Sequence, residues 1–137
     1  MIIGIGNDLV DVRRIERSLA RFGMRFEQRI FTPTEIAIAE QRGRSGLKGK
    51  AATLAKRFAA KEACAKALST GIGQGIQWHE IAVENLPGGA PQLVLTGKAR
   101  EILQAMIPQG MQPRLHLSLA DEYPMAQAFV VISAVSL

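Results

Sequence analysis

The stretch from Thr53 to Ser69 constrains this chain more than any other. Rich in Ala, Lys, Leu and Glu, it predicts one long helix. It stops at Thr70-Gly71-Ile72-Gly73-Gln74-Gly75, where three alternating glycines permit unusual backbone angles. Small or apolar side chains (Ala59, Ala63, Ala65, Leu68) crowd this helix, and Cys64 fills a small packing position among them. Such a helix needs partners, and the rest of the chain supplies them.

Met1 to Gly6 is β-branched and punctuated by glycine, which suits a strand leading into a turn. Val12, Ile15, Leu19 and Phe22 then recur on one helical face, ended by Gly23. Thr32-Pro33-Thr34-Glu35 reads as a capped helix start, with that helix ending near Gly43. Arg42 to Gly49, glycine-rich and basic, reads as a mobile loop. Trp78 to Glu84 and Gln92 to Thr96 alternate like strands around Pro87-Gly88-Gly89, a hairpin pattern. Lys98 to Met106 predicts a short helix, and Arg114 to Ala120 and Gln127 to Val135 two more strands. Helices early and strands late predict an α+β fold, a largely antiparallel sheet packed against helices, in one domain over 1–137.

At 47% hydrophobic residues the chain is expected to be globular, and no apolar run reaches the roughly 18 residues of a membrane span. The start carries no basic flank, and Asn7, Asp8 and Asp11 interrupt its apolar run, so a cytoplasmic protein is expected. One cysteine excludes a disulfide framework and a cysteine-rich zinc site. Charge is uneven. Fourteen of the 17 Lys and Arg lie between Arg13 and Lys66, giving that segment +9 against −4 elsewhere. A basic half implies an anionic partner, although any single arginine is explained by solvation alone. With 5% aromatics and no zinc finger or RNP-like run, nucleic acid is not favoured.

Asp8, beyond the glycines of Gly4-Ile5-Gly6, reads either as a presented carboxylate or as a cap for the helix that follows. Glu62 and Lys66 lie one turn apart on the side that carries Phe58: an ordinary surface pair, or part of a cleft. Two carboxylates such as Asp8 and Glu62 suit Mg²⁺, and Lys66 could then neutralise a phosphate oxygen. His116 alternates with leucines and is expected on a sheet face with Arg114 and Ser118. Gly71-Ile72-Gly73 follows a helix rather than preceding one, so it is not a dinucleotide fingerprint. Arg14, Arg17 and Arg21 form one outward stripe, suited to an acidic partner helix.

Two signatures then stand in order: Gly4-Ile5-Gly6-Asn7-Asp8-Leu9-Val10-Asp11-Val12-Arg13-Arg14-Ile15, and Lys56-Arg57-Phe58-Ala59-Ala60-Lys61-Glu62-Ala63 with Lys66-Ala67 and Thr70-Gly71-Ile72. With Arg29-Ile30-Phe31-Thr32, Trp78-His79-Glu80-Ile81 and His116-Leu117-Ser118-Leu119-Ala120-Asp121, the chain resembles the holo-acyl-carrier-protein synthases, small phosphopantetheinyl transferases. The family usually has glycine where Ser69 stands, and its 43–52 loop is shorter. The resemblance implies transfer of phosphopantetheine from coenzyme A to a serine of apo-acyl carrier protein. It further implies Mg²⁺ on Asp8 and Glu62, with Glu62 and Lys66 catalytic. Lys66 and Gly71 are expected beside the pyrophosphate, and Arg57, Lys61 and His116 at coenzyme A phosphates. The carrier is expected on Arg14, Arg17 and Arg21, with homotrimers holding a site at each subunit interface. A non-enzymatic nucleic-acid-binding domain and an inert homo-oligomer are the rival readings.

Overall fold

The computed structural model describes the backbone of all 137 residues and every side chain except those of Ser45 and Leu47. Strands β1 (Ile2–Asp11), β4 (Met111–Glu122) and β5 (Met125–Ser136) form an antiparallel sheet in the order β1-β5-β4. On β5, Ala126, Ala128, Val130, Ile132 and Ala134 are buried at every second position. That period of two turns one face inward, each fully buried Val or Ile contributing roughly 1.5–3 kcal/mol.

β1 runs five residues further than the sequence suggests, so Asp8 lies within the strand, paired with Ala128. Gly4 and Gly6 therefore do not turn the chain. Their φ angles are not positive. What they provide is room. A Cβ on Gly6 would lie 1.8 Å from the Ala63 carbonyl oxygen, and one on Gly4 would lie 2.1 Å from that of Ala67. Only a strand without side chains at these points lets the long helix approach so closely.

Helix α1 (Val12–Phe22) is capped by Asp11, which accepts from the Arg13 N–H, so the capping role considered for Asp8 falls to Asp11. The Arg13 guanidinium also holds the Asp11 carboxyl down at about 2. Gly23 closes α1 and opens a helix not foreseen, α2 (Met24–Ile30). α3 (Pro33–Arg42) begins with the expected capping box, Thr32 with Glu35. The segment expected as a mobile loop instead forms a 3₁₀ turn, Gly43–Ser45, and the first turn of α4 (Leu47–Ala67).

Behind α4 the chain reverses through hydrogen bonds from Ser69 N to Lys66 O and from Thr70 N to Ala65 O. This is a Schellman arrangement, and its left-handed position (φ 60°) is filled by Ser69. The family's usual glycine there is thus explained: glycine adopts that angle without a Cβ penalty.

The hairpin of β2 (Ile81–Asn85) and β3 (Pro91–Leu95) forms its own two-stranded sheet. Trp78–Glu80, expected as strand, is a 3₁₀ turn because Glu80 spends both carboxylate oxygens on backbone N–H groups. One accepts from the Gln77 N–H and the other from the Lys98 N–H at the start of α5 (Gly97–Met106). The α+β class and the antiparallel pairing hold.

A buried ion pair ties these parts together. Glu35 and Lys61 are both fully buried. Glu35 accepts from Thr32 N, Val83 N and Lys61 Nζ, while Lys61 Nζ also reaches the carbonyls of Trp78 (3.1 Å) and Ile81 (2.6 Å). Two stranded charges would cost several kcal/mol each; this pair is offset by full hydrogen bonding. Next to it on α4, Cys64 is sealed in the core, and burial pushes its thiol up to about 12.

Candidate functional site

Gly4, Gly6 and Asp8 share the face of β1 that meets α4, since alternate residues of a strand point the same way. The close glycine contacts at Ala63 and Ala67 bring Glu62 and Lys66 of α4 up to that strand. Lys66 Nζ donates to the Asn7 carbonyl at 2.8 Å and to Asp8 Oδ1 at 3.2 Å. The surface pair between Glu62 and Lys66 is therefore not what forms; the lysine crosses to the strand. Glu62 is half-buried, and burial pushes its carboxyl above the usual range. The charge of Asp8 raises it further, while Lys66 and Arg14 oppose the shift.

Glu62 lines a cavity of about 800 Å³ together with Arg14, Phe58, Trp78, Arg25 and Arg29. Phe58 stacks on Trp78 with ring centroids 5.1 Å apart, and the Arg14 guanidinium lies 5.5 Å over Phe58. Of the expected stripe only Arg14 borders this cavity. Arg17 stays exposed on α1, and Arg21 rests over Phe22. Arg25 and Arg29 of α2 take their place. In the sequence Gly23 reads as a helix end, which hides them, yet Phe26 and Ile30 four residues apart mark a further helix beyond it.

A second cavity, about 310 Å³, is lined by Arg42, Lys56, Arg57, Asn85, Gly89 and Ser118 among others. Arg57 is 1% exposed. It donates to Asn85 Oδ1 and Thr53 O, and its Nε has no partner. Burial, and then Arg42, push its pKa down. A desolvated guanidinium with an unused donor beside two more cations suits an anion.

Lys61 does not fit the expected phosphate contact. It is wholly buried, and its three protons are committed to Glu35, Trp78 and Ile81. His116 lies on the exposed outer face of the sheet, opposite Val131 and bonded to Ser133 Oγ at 3.0 Å. That is the face away from Asp8, so His116 cannot join the site of its own chain. Gly71 follows the reversal at Ser69, five residues beyond Lys66, with its α-carbon facing Gln74.

Asp8 and Glu62 also fit a divalent ion. The donors are hard carboxylate oxygens, and a lysine ammonium already stands as a cation on Asp8. No group of three or more potential ligands occurs among the described residues. Two carboxylates with space left for water and phosphate is the donor set Mg²⁺ takes.

Comparisons with known proteins point one way. A profile of the 4′-phosphopantetheinyl transferase superfamily matches residues 4–128. The holo-[acyl-carrier-protein] synthase of Methylobacterium sp. (strain 4-46) is 58% identical over 134 residues, covering 98% of this chain and 96% of that one. That of Rhizobium meliloti (strain 1021) is 57% identical over 134 residues, covering 98% and 93%. Among solved structures, the synthase of Neisseria meningitidis superposes with a TM-score of 0.79 at 40% identity, covering 97% of this chain and 99% of that one. The Helicobacter pylori synthase in complex with coenzyme A gives 0.77 at 33% identity, covering 94% and 99%. With a family profile matched over most of its length, relatives above half identical and a shared fold, this chain belongs to the 4′-phosphopantetheinyl transferase superfamily.

Proposed function

We propose that this chain is a holo-acyl-carrier-protein synthase. It moves the 4′-phosphopantetheine arm of coenzyme A to a serine of apo-acyl carrier protein and releases adenosine 3′,5′-bisphosphate. The observation that carries the reading is the convergence of Asp8, Glu62 and Lys66 beside an arginine-lined cavity. Asp8 and Glu62 would hold Mg²⁺, which supplies charge neutralisation at the pyrophosphate.

The serine oxygen attacks the β-phosphorus, the bond from that phosphorus to the bridging oxygen breaks, and its electron pair leaves on the α-phosphate. Such transfers need positioning and charge stabilisation more than covalent help. Lys66, one turn beyond Glu62, brings a positive charge to the oxygens of the leaving side. Glu62 is the only carboxylate among the described residues lining the large cavity, and it would take the serine proton through a water. Phe58 and Trp78 wall the space for the arm. Arg42, Lys56 and Arg57 receive a phosphate of coenzyme A in the smaller cavity.

The carrier protein docks where Arg14, Arg25 and Arg29 border the large cavity, beside exposed Phe22, presenting acidic residues to the arginines. The active form is a homotrimer. The outer sheet face exposes Ile5, Leu9 and Phe129, side by side with Val131 and His116, and a second copy would cover it. His116 would then serve a neighbour's site rather than its own. No helix is long and apolar enough to cross a membrane; the cytoplasm, where coenzyme A and apo-carrier meet, is the proposed location.

The test is to weigh apo-carrier protein after incubation with the chain, coenzyme A and Mg²⁺. A gain of one phosphopantetheine is expected. No gain, with tight salt-dependent binding of DNA or RNA instead, would favour the nucleic-acid rival. Phe129→Arg should turn the trimer into monomers by light scattering, and an unchanged mass would remove the sheet face from the interface.

A further inference from the structure

Lys66 has one position in this structure, and it is the position a metal would need. Its ammonium donates to Asp8 Oδ1 at 3.2 Å and to the carbonyl of Asn7, the residue before it, at 2.8 Å. The side chain of Asp8 is 18% exposed, so its oxygens have few other approaches. The Lys66 side chain is 54% exposed, which leaves its stem free to swing. An ammonium and a dication cannot both lie against the same carboxylate without repulsion.

We propose that Lys66 and the divalent cation are mutually exclusive partners of Asp8, so that cation binding releases Lys66 to the phosphate. This rests on Asp8 being a metal ligand, as read above. Without a cation, Lys66 neutralises Asp8, and Asp8 and Glu62 do not repel each other unchecked. When the cation arrives, Lys66 loses its acceptor there and is set free with its charge unspent. The diphosphate then offers it one. Metal binding and phosphate binding thereby favour each other through one side chain, a coupling that is reciprocal by thermodynamic necessity. The two cations serve in succession on one carboxylate, and the chain need not keep an unpaired carboxylate pair at rest.

The consequence is contrary to what a lysine lent to catalysis suggests. In the absence of coenzyme A, Lys66 should weaken metal binding. The experiment is a titration of the free protein with Mn²⁺, read by the electron paramagnetic resonance of unbound Mn²⁺. Lys66→Met, which keeps length and drops charge, should bind Mn²⁺ about three- to fivefold more tightly than wild type, the upper size of one partly exposed ion pair. Lys66→Arg should stay near wild type. Arg17→Met, which removes one charge from the exposed face of α1, should change affinity by less than about twofold, because screening weakens a charge that is not in contact. Equal or weaker Mn²⁺ binding by Lys66→Met would overturn the exclusion, as would an equal gain in Arg17→Met. Asp8→Asn separates the two levels. If it binds Mn²⁺ as well as wild type, the ligand assignment itself fails; if it binds poorly while Lys66→Met is unchanged, only the exclusion fails.

Discussion

Replacing Gly6 by alanine tests whether the site depends on how closely β1 and α4 approach. The backbone at Gly6 is open to any residue, so alanine costs nothing in conformation. It costs space. The new Cβ would stand 1.8 Å from the Ala63 carbonyl oxygen, where real Cβ atoms essentially never come within 3.0 Å. The obstacle is helix backbone, which cannot rotate aside as a side chain would. Strand and helix must therefore part by more than an ångström at the residue next to Glu62. Overpacking of this kind costs about 1–3 kcal/mol, which lowers Tm by roughly 3–10 °C for a chain of this length. The rate should suffer more than the fold, because a misplacement of about 1 Å can cost roughly a hundredfold. Urea unfolding gives the first quantity and initial rates of carrier modification the second. If Gly6→Ala keeps wild-type stability and rate, close packing is not why glycine stands there. A loss of stability with full activity would detach the glycine from the site.

Four further outcomes are expected. Glu62→Gln should stabilise the metal-free protein at neutral pH while abolishing transfer. The folded carboxyl titrates above its unfolded value, so stability is full below the unfolded pKa and falls as pH rises through the folded one, and the amide removes that fall; unfolding midpoints of both proteins across pH 4–8 check this. Lys61→Met should cost about 3–5 kcal/mol by leaving Glu35 charged and unpaired, whereas Lys61→Met with Glu35→Gln should recover most of it; thermal melts of the set decide. Ser69→Gly should leave stability equal or higher, since the serine holds a left-handed angle that costs roughly 1 kcal/mol; a clear loss in denaturant midpoint would refute that. Arg25→Glu should raise the KM for carrier protein more than Arg17→Glu does, with coenzyme A kinetics little changed; the reverse order would return docking to the α1 stripe.

Local chemistry made much of this legible. The capping box at Thr32 and Glu35, the Val12–Phe22 face and the hairpin at Pro87-Gly88-Gly89 act over a few residues, and each was read where it stands. The misses depend on distant partners. Gly4 and Gly6 looked like turn residues because nothing in the sequence says that α4 will lie against them. Lys61 is expected at a coenzyme A phosphate because its actual partners, Glu35 and the Trp78 and Ile81 carbonyls, are remote along the chain. Trp78 to Glu80 alternates like a strand but turns, because Glu80 satisfies backbone donors on both sides of itself. At the site, Asp8, Glu62 and Lys66 were found as a group, yet the lysine's choice of Asp8 over Glu62 needed the folded strand beside the helix.

Cys64 has a use that follows from its concealment. It is the only thiol, it touches neither cavity, and in the native state it is almost never a thiolate. A disulfide reagent can label it only in molecules that have opened, where its reactivity returns to that of an ordinary cysteine. When reclosing outpaces labelling, the labelling rate divided by the intrinsic rate gives the open fraction directly. Any molecule that binds the closed form slows that reaction by the factor 1 + [L]/Kd. Occupancy of either cavity or of the carboxylate pair can thus be timed from one sulfur atom that meets none of them.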